Sequence, residues 1–275
     1  FVEDYLFIFL LSAILGKIMD DSDDAAAIGE FVLDVLSYRY AAVGIFLASV
    51  LLSIGGISAF VLIFTIYPIA KTVFEEAGLS KSLILASIAG GNILVGLPLP
   101  GSPQVHNLIM MDYLNTSASA GLALGLVSVA VGTTAAVIYL RYRSRSLLTD
   151  KHNLNDSVFK KPDLKKLLNF LTAMLPLLIV FVFLAFLSKP PVLALLLGVL
   201  FSIFKNFKKI DLLNILNNSI SNAVLPLMFA ASAMGFGRVI SSLPVFKDFL
   251  QTLLNLPLNP YLLTGIIANV AAGLL

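Results

Sequence analysis

Side chains able to hold a small solute gather in two short stretches of this chain. The first is Ser53-Ile54-Gly55-Gly56-Ile57-Ser58. Paired glycines allow a tight turn and close backbone approach, and the flanking hydroxyls can donate or accept hydrogen bonds. The second runs from Gly90-Gly91-Asn92 through Gly96-Leu97-Pro98-Leu99-Pro100-Gly101-Ser102-Pro103-Gln104-Val105-His106-Asn107. Its prolines and glycines cannot continue a helix. The polar residues that follow open a new half-helix, whose N-terminus presents free N–H groups and a partial positive charge. That suits a carboxylate, and neutral amides and hydroxyls suit the hydroxyls of a sugar acid. The candidate binding residues are Ser53, Gly55, Gly56, Ser58, Asn92, Gly101, Ser102, Gln104, His106 and Asn107. The competing readings are a glycine packing seam for the first stretch and a Pro-rich loop outside the membrane for the second.

Other chemistries find little support. There is no cysteine, so disulfides and thiolate metal sites are excluded. Asp20, Asp21, Asp23 and Asp24 lack the spacing and glycine of an EF-hand loop. HExxH, Walker A and GxSxG motifs are absent from the sequence. His106 could relay protons, but more often such a histidine is a hydrogen-bonded packing residue, and it has no evident nucleophile partner. No catalytic residue, metal ligand or cofactor is expected, and an enzyme is not the reading.

Composition says what must position these residues. Of the 275 residues 59% are hydrophobic and 12% charged, against about 45–50% and about 25% in soluble domains. Too few charges remain to cover a water-soluble globule, so the expected class is an all-α polytopic membrane protein. Nucleic-acid binding is excluded on the same ground. Apolar runs fall at 2–18, 41–74, 82–96, 118–140, 167–187, 192–204, 215–239 and 261–275. The run 41–74 is too long for one helix and breaks at the glycine pair, which suggests a re-entrant hairpin over 41–76 with its tip at mid-membrane, or else two full crossings; both return the chain to the side it left. Residues 82–96 make about 22 Å of helix at 1.5 Å per residue, short of the roughly 30 Å hydrocarbon core, so the Pro-rich break lies within the membrane or at its far interface. Between the first two runs, 22–38 is amphipathic, with Ile28, Phe31, Val32, Val35 and Leu36 on one face, and reads as a helix on the membrane surface.

Lys and Arg set the orientation. The segment 141–166 carries Arg141, Arg143, Arg145, Lys151, Lys160, Lys161, Lys165 and Lys166 and is placed in the cytoplasm. Counting crossings from there puts all of the 18 basic residues inside except Lys189, Arg238 and Lys247. The same count exposes a repeat. An offset of 221 positions lays Gly16-Lys17-Ile18 on Gly237-Arg238-Val239, Tyr40 on Tyr261 and Gly44-Ile45 on Gly265-Ile266 without a gap. The helix ending at Lys17 finishes inside and the one ending at Arg238 outside, so the copies run in opposite senses. Inverted repeats of this kind are typical of secondary transporters. The expected organisation is a first repeat over 1–140 (a span, the interfacial helix, hairpin 41–76, broken helix 82–114 and span 116–140), a basic loop at 141–166, and an incomplete inverted second repeat over 167–275. Both ends lie in apolar runs, and the second glycine tip would fall at position 276, so the chain is expected to be the middle of a longer protein, on the order of 420 residues.

The string Leu99-Pro100-Gly101-Ser102-Pro103-Gln104-Val105-His106-Asn107 resembles the LPGSPQxxN signature of permeases related to the gluconate:proton symporters. Gly16-Lys17-Ile18-Met19-Asp20-Asp21-Ser22 is similar to their GKxMExSG segment, and Tyr67-Pro68-Ile69-Ala70-Lys71 to the end of their second hairpin arm. The resemblance covers about 10–126. It implies an inverted-repeat transporter fold with a re-entrant hairpin and broken helices. It also implies inner-membrane uptake of a small organic anion such as gluconate by proton symport, in a homodimer, with the anion held at the 53–58 tip, Asn92 and the 101–107 break. Two other readings stand beside it: a Na⁺-coupled di- or tricarboxylate transporter of the citrate type, and a channel or non-transporting membrane scaffold.

Overall fold

A computed structural model describes residues 1–36, 40–57, 59–146, 163–187 and 190–274. Among these the chain is helical: α1 (Val2–Asp21), α2 (Asp24–Leu36), α3 (Ala41–Ile54), α4 (Ala59–Glu76), α5 (Ser82–Gly91), a π-helical turn (Asn92–Gly96), α6 (Val105–Leu114), α7 (Leu122–Ser146), α8 (Leu164–Ala185), α9 (Pro191–Asn206), α10 (Leu212–Ser242), α11 (Pro244–Leu254) and α12 (Pro260–Leu274). The segment 41–76 forms two helices, α3 and α4, which pack on one another. The broken helix expected over 82–114 is α5, the π turn and α6. Ser58 and most of the basic loop lie outside the described residues. Among the described residues three helices, α7, α8 and α10, are long and apolar enough to cross a membrane. The protein is an all-α polytopic membrane protein.

The chain falls into two compact units, 7–223 and 1–6 with 224–275. In the first, α3 is the centre and packs against α2, α4, α5, the π turn, α7 and α8. A helix that is apolar all round belongs inside, and Ala41, Ile45, Phe46, Ala48 and Leu52 of α3 are buried. In the second unit α11 is an amphipathic helix with Pro244 at its start, and it packs on α12. Asn259 caps α12, accepting from the Tyr261 N–H at 2.9 Å through its side chain, with Pro260 at the first helical position. The offset of 221 also carries the last residue of α1 onto the last residue of α10, and the first residue of α2 to within one residue of the start of α11.

The helix expected on the membrane surface is more enclosed than its pattern suggests. α2 lies against α3, α4 and α8, with Asp24, Ala25, Ile28, Gly29 and Val32 buried. Amphipathicity shows that one face is covered but not by what. The cover comes from much later in the chain: Asp34 pairs with Lys166 at 2.5 Å, and Phe31 stacks on Phe170 at 4.3 Å. Asp24 accepts from Lys205 at 2.8 Å and from Asn206 at 2.9 Å.

Lys205 has a second acceptor, the Thr172 carbonyl at 2.9 Å. The N–H that would bond this carbonyl inside α8 belongs to residue 176, which is proline and has none. A proline in α8 therefore frees a carbonyl, an ammonium on α9 satisfies it, and Asp24 on α2 neutralises the ammonium. At the α1–α2 junction Asp23 takes a left-handed backbone, φ 63°. Glycine is the residue that adopts such a backbone without steric cost.

Two stability outcomes follow. Asp24→Ala strands a partly buried ammonium and should cost about 2 kcal/mol, read as a lower Tm in detergent. Asp23→Gly should raise stability by about 1 kcal/mol by removing left-handed strain, read in the same melt.

Candidate functional site

Helix α3 ends at Ile54 among apolar neighbours. The last four carbonyls of a helix have no intrahelical partner, and leaving one unpaired in an apolar setting costs several kcal/mol. The structure meets this need with side chains from the second polar stretch. The Ser53 carbonyl accepts the Gly56 N–H at 3.0 Å, the Gln104 Nε2–H at 3.0 Å and, more distantly, the Ser102 hydroxyl at 3.4 Å. Gln104 Nε2 also donates to the Ile57 carbonyl at 3.3 Å. On the other side, Asn92 Nδ2 donates to the Ser53 hydroxyl oxygen at 3.0 Å. Ser53, Asn92, Ser102 and Gln104 are 0%, 3%, 1% and 5% exposed, so within this unit the cluster is shut from solvent.

Local backbone brings these residues together. Between α5 and the break the helix widens into the π turn, with the Leu97 N–H bonded to the Asn92 carbonyl at 2.9 Å. Such insertions re-aim side chains and recur at functional sites; here Asn92 is the residue that reaches Ser53. The end of the π turn lies directly against Ser53 of α3: a Cβ on Gly96 would lie 2.6 Å from the Ser53 Cβ, so only glycine fits there. At the tip Gly56 has φ 85° and lies against Pro103. Gly55 abuts Leu177 of α8, and Gly101 abuts Ala185 of α8.

Asn107 sits at the next level out, half-buried. Its Nδ2 donates to the Leu99 carbonyl at 2.9 Å and to the Ser102 carbonyl at 3.3 Å, which folds the Pro-rich loop onto the start of α6. The N–H groups of Asn107 and Leu108 bond back to the Gln104 carbonyl. His106 is exposed on α6 and stands apart from the cluster. Ser58 lies outside the described residues. Of the ten candidates, then, Ser53, Gly55, Gly56, Asn92, Gly101, Ser102, Gln104 and Asn107 come together across the hairpin tip and the helix break.

Two supports escaped the sequence reading. Leu177, Phe181 and Ala185, one helical face at i, i+4, i+8, bring α8 against Gly55 and Gly101. On α7, Gly125 lies against Pro100 and Gly132 against the Leu94 carbonyl; their seven-residue spacing was the signal that could have found them. The cluster is neutral, and no group of three or more His, Cys, Asp or Glu that could hold a metal occurs among the described residues. Its chemistry is hydrogen bonding and the dipoles of two interrupted helices, with the negative end of α3 meeting the positive end of α6.

No family model matches this chain. Over 146 residues it is 34% identical to the protein named Uncharacterized transporter YxjC of Bacillus subtilis (strain 168); the match covers 53% of this chain and 31% of that protein. The chain therefore matches about a third of the length of this curated relative.

Gln104→Leu removes the donor to the Ser53 and Ile57 carbonyls and should cost about 2 kcal/mol. Gly96→Ala forces the end of the π turn away from Ser53 and should cost about 1–3 kcal/mol. Thermal unfolding in detergent reads both, and an unchanged Tm in either variant would contradict the packing described.

Proposed function

We propose that this chain forms part of a secondary active transporter that takes up a small organic anion, with gluconate or a related sugar or hydroxy acid as the substrate class and proton symport as the coupling. The observation that carries the reading is the meeting of two interrupted helices at Ser53: a glycine hairpin tip and a Pro-rich break, joined by neutral amides and hydroxyls. Irregular backbone at membrane depth occurs where protein or a wet cavity supplies partners, and transporters place substrate at such breaks. The α6 N-terminus beside them offers positive potential for a carboxylate. Similarity to a Bacillus subtilis protein named as a transporter supports the class. The proposal includes residence in the inner membrane with 141–166 cytoplasmic, a homodimer, and alternating access between two inverted copies, of which 1–140 is the first.

One observation favours a second reading. The carbonyls of Ser53 and Ile57, with the Ser53 hydroxyl, are oxygens of the kind that coordinate Na⁺ at helix breaks, so Na⁺-coupled uptake of a di- or tricarboxylate is the alternative. Full-length protein in proteoliposomes distinguishes them. A pH gradient, and not a Na⁺ gradient, should drive accumulation of labelled gluconate. Ser102→Ala and Asn107→Ala should each lower uptake at least about tenfold while still inserting in the membrane. Wild-type uptake in both variants would remove the site assignment, and the absence of concentrative uptake under either gradient would remove the transporter.

A further inference from the structure

Away from the break, α8 and α9 form a second concave surface. They pack closely where Gly198 faces Val180 and the Pro176 carbonyl. Beside that seam opens a groove of about 660 Å³ lined by Ile179 and Phe183 of α8 and by Leu200, Phe201, Phe204 and Phe207 on or just past α9. Its walls are apolar and aromatic, and Phe204 is 86% exposed. The charges are at one end. Lys208 and Lys209 follow Phe207 directly and are exposed. Lys165 stands in the first turn of α8, on the half of that helix that the end of α9 lies beside, and it too is exposed. The bond from Lys205 to the Thr172 carbonyl holds the end of α9 beside the first half of α8.

These three lysines make no ion pair among the described residues, whereas the neighbouring Lys166 and Lys205 pair with Asp34 and Asp24. Two acids stand at the same end. Asp211 accepts from the Leu213 and Asn214 N–H groups at the start of α10, and Asp163 precedes α8. The balance remains positive.

We propose that this groove binds an anionic phospholipid, with one acyl chain along the phenylalanines and the phosphate on Lys165, Lys208 and Lys209. The lengths agree. From Lys165 to Ile179 is about 21 Å of helix, and one leaflet with its headgroup layer is about 20–22 Å, half of the 40–45 Å bilayer. A neutral lipid would fill the groove but leave the net positive charge at this end unmet. Clustered lysines at the end of membrane helices are the chemistry that selects anionic headgroups.

The chain contains no tryptophan, which makes a reporter simple to place. Phe204→Trp puts a fluorophore on the groove rim, Phe207→Trp provides a second, and Leu124→Trp on the exposed face of α7 is the reference. Each variant is reconstituted in phosphatidylcholine bilayers containing either dibrominated phosphatidylglycerol or dibrominated phosphatidylcholine. Quenching at the Phe204→Trp and Phe207→Trp reporters should favour phosphatidylglycerol about fivefold, and the Leu124→Trp reference should show no preference. Adding Lys165→Gln, Lys208→Gln and Lys209→Gln should bring the groove preference below about twofold. Equal quenching by both lipids at the groove reporters, the same preference at the reference, or a preference that survives the triple substitution would each overturn the proposal.

Discussion

A helix that stops inside an apolar layer leaves carbonyls that water cannot reach. That constraint, at the end of α3, organises everything around it. The Ser53 carbonyl must find donors, and the donors come from Gln104 and Ser102, about fifty positions later in the chain. For them to arrive, α5 must end in a π turn, the Pro-rich loop must fold back, and α6 must begin beside the hairpin tip. The glycine at 96 allows the approach, and Asn92 closes the other side. The same amides that make the cluster polar hold its backbone.

α8 links this arrangement to the rest of the unit. Its face at Leu177, Phe181 and Ala185 lies behind the two glycine positions, and its face at Ile179 and Phe183 floors the apolar groove. Its first half carries Lys166 and Phe170, which hold α2. One helix thus sets the position of the amphipathic helix, backs the helix break and shapes a surface toward the bilayer.

The breaks were legible in the sequence because glycine pairs and prolines are strong local signals: one helix ends at Ile54 beside the glycine pair, and another gives way at Gly96 to the Pro-rich stretch before α6 begins. The convergence of Ser53, Asn92, Ser102 and Gln104 was legible as a set of candidates, but not as a network. Their bonds join positions 39 and 51 apart, and no local pattern records which carbonyl an amide will meet. The π turn left no trace either, since its five residues differ in hydrogen-bond register and not in composition. His106 stands apart for a related reason: position in a polar run does not fix the direction of a side chain on a helix, and this one is exposed on α6. The enclosure of α2 was hidden because its partners, Lys166 at the end of the basic loop and Phe170 and Lys205 beyond it, are far away in the sequence.

The proline in the middle of α8 has a consequence for descent. Pro176 leaves the Thr172 carbonyl without its helical donor, Lys205 takes that place, and Asp24 balances the lysine. Each residue is needed because of the one before it. A homologue that replaces the proline regains the helical bond and no longer requires a cation at 205, and without that cation a buried acid at 24 becomes a liability. Three positions spread over more than 180 residues should therefore be gained and lost as a single inherited character.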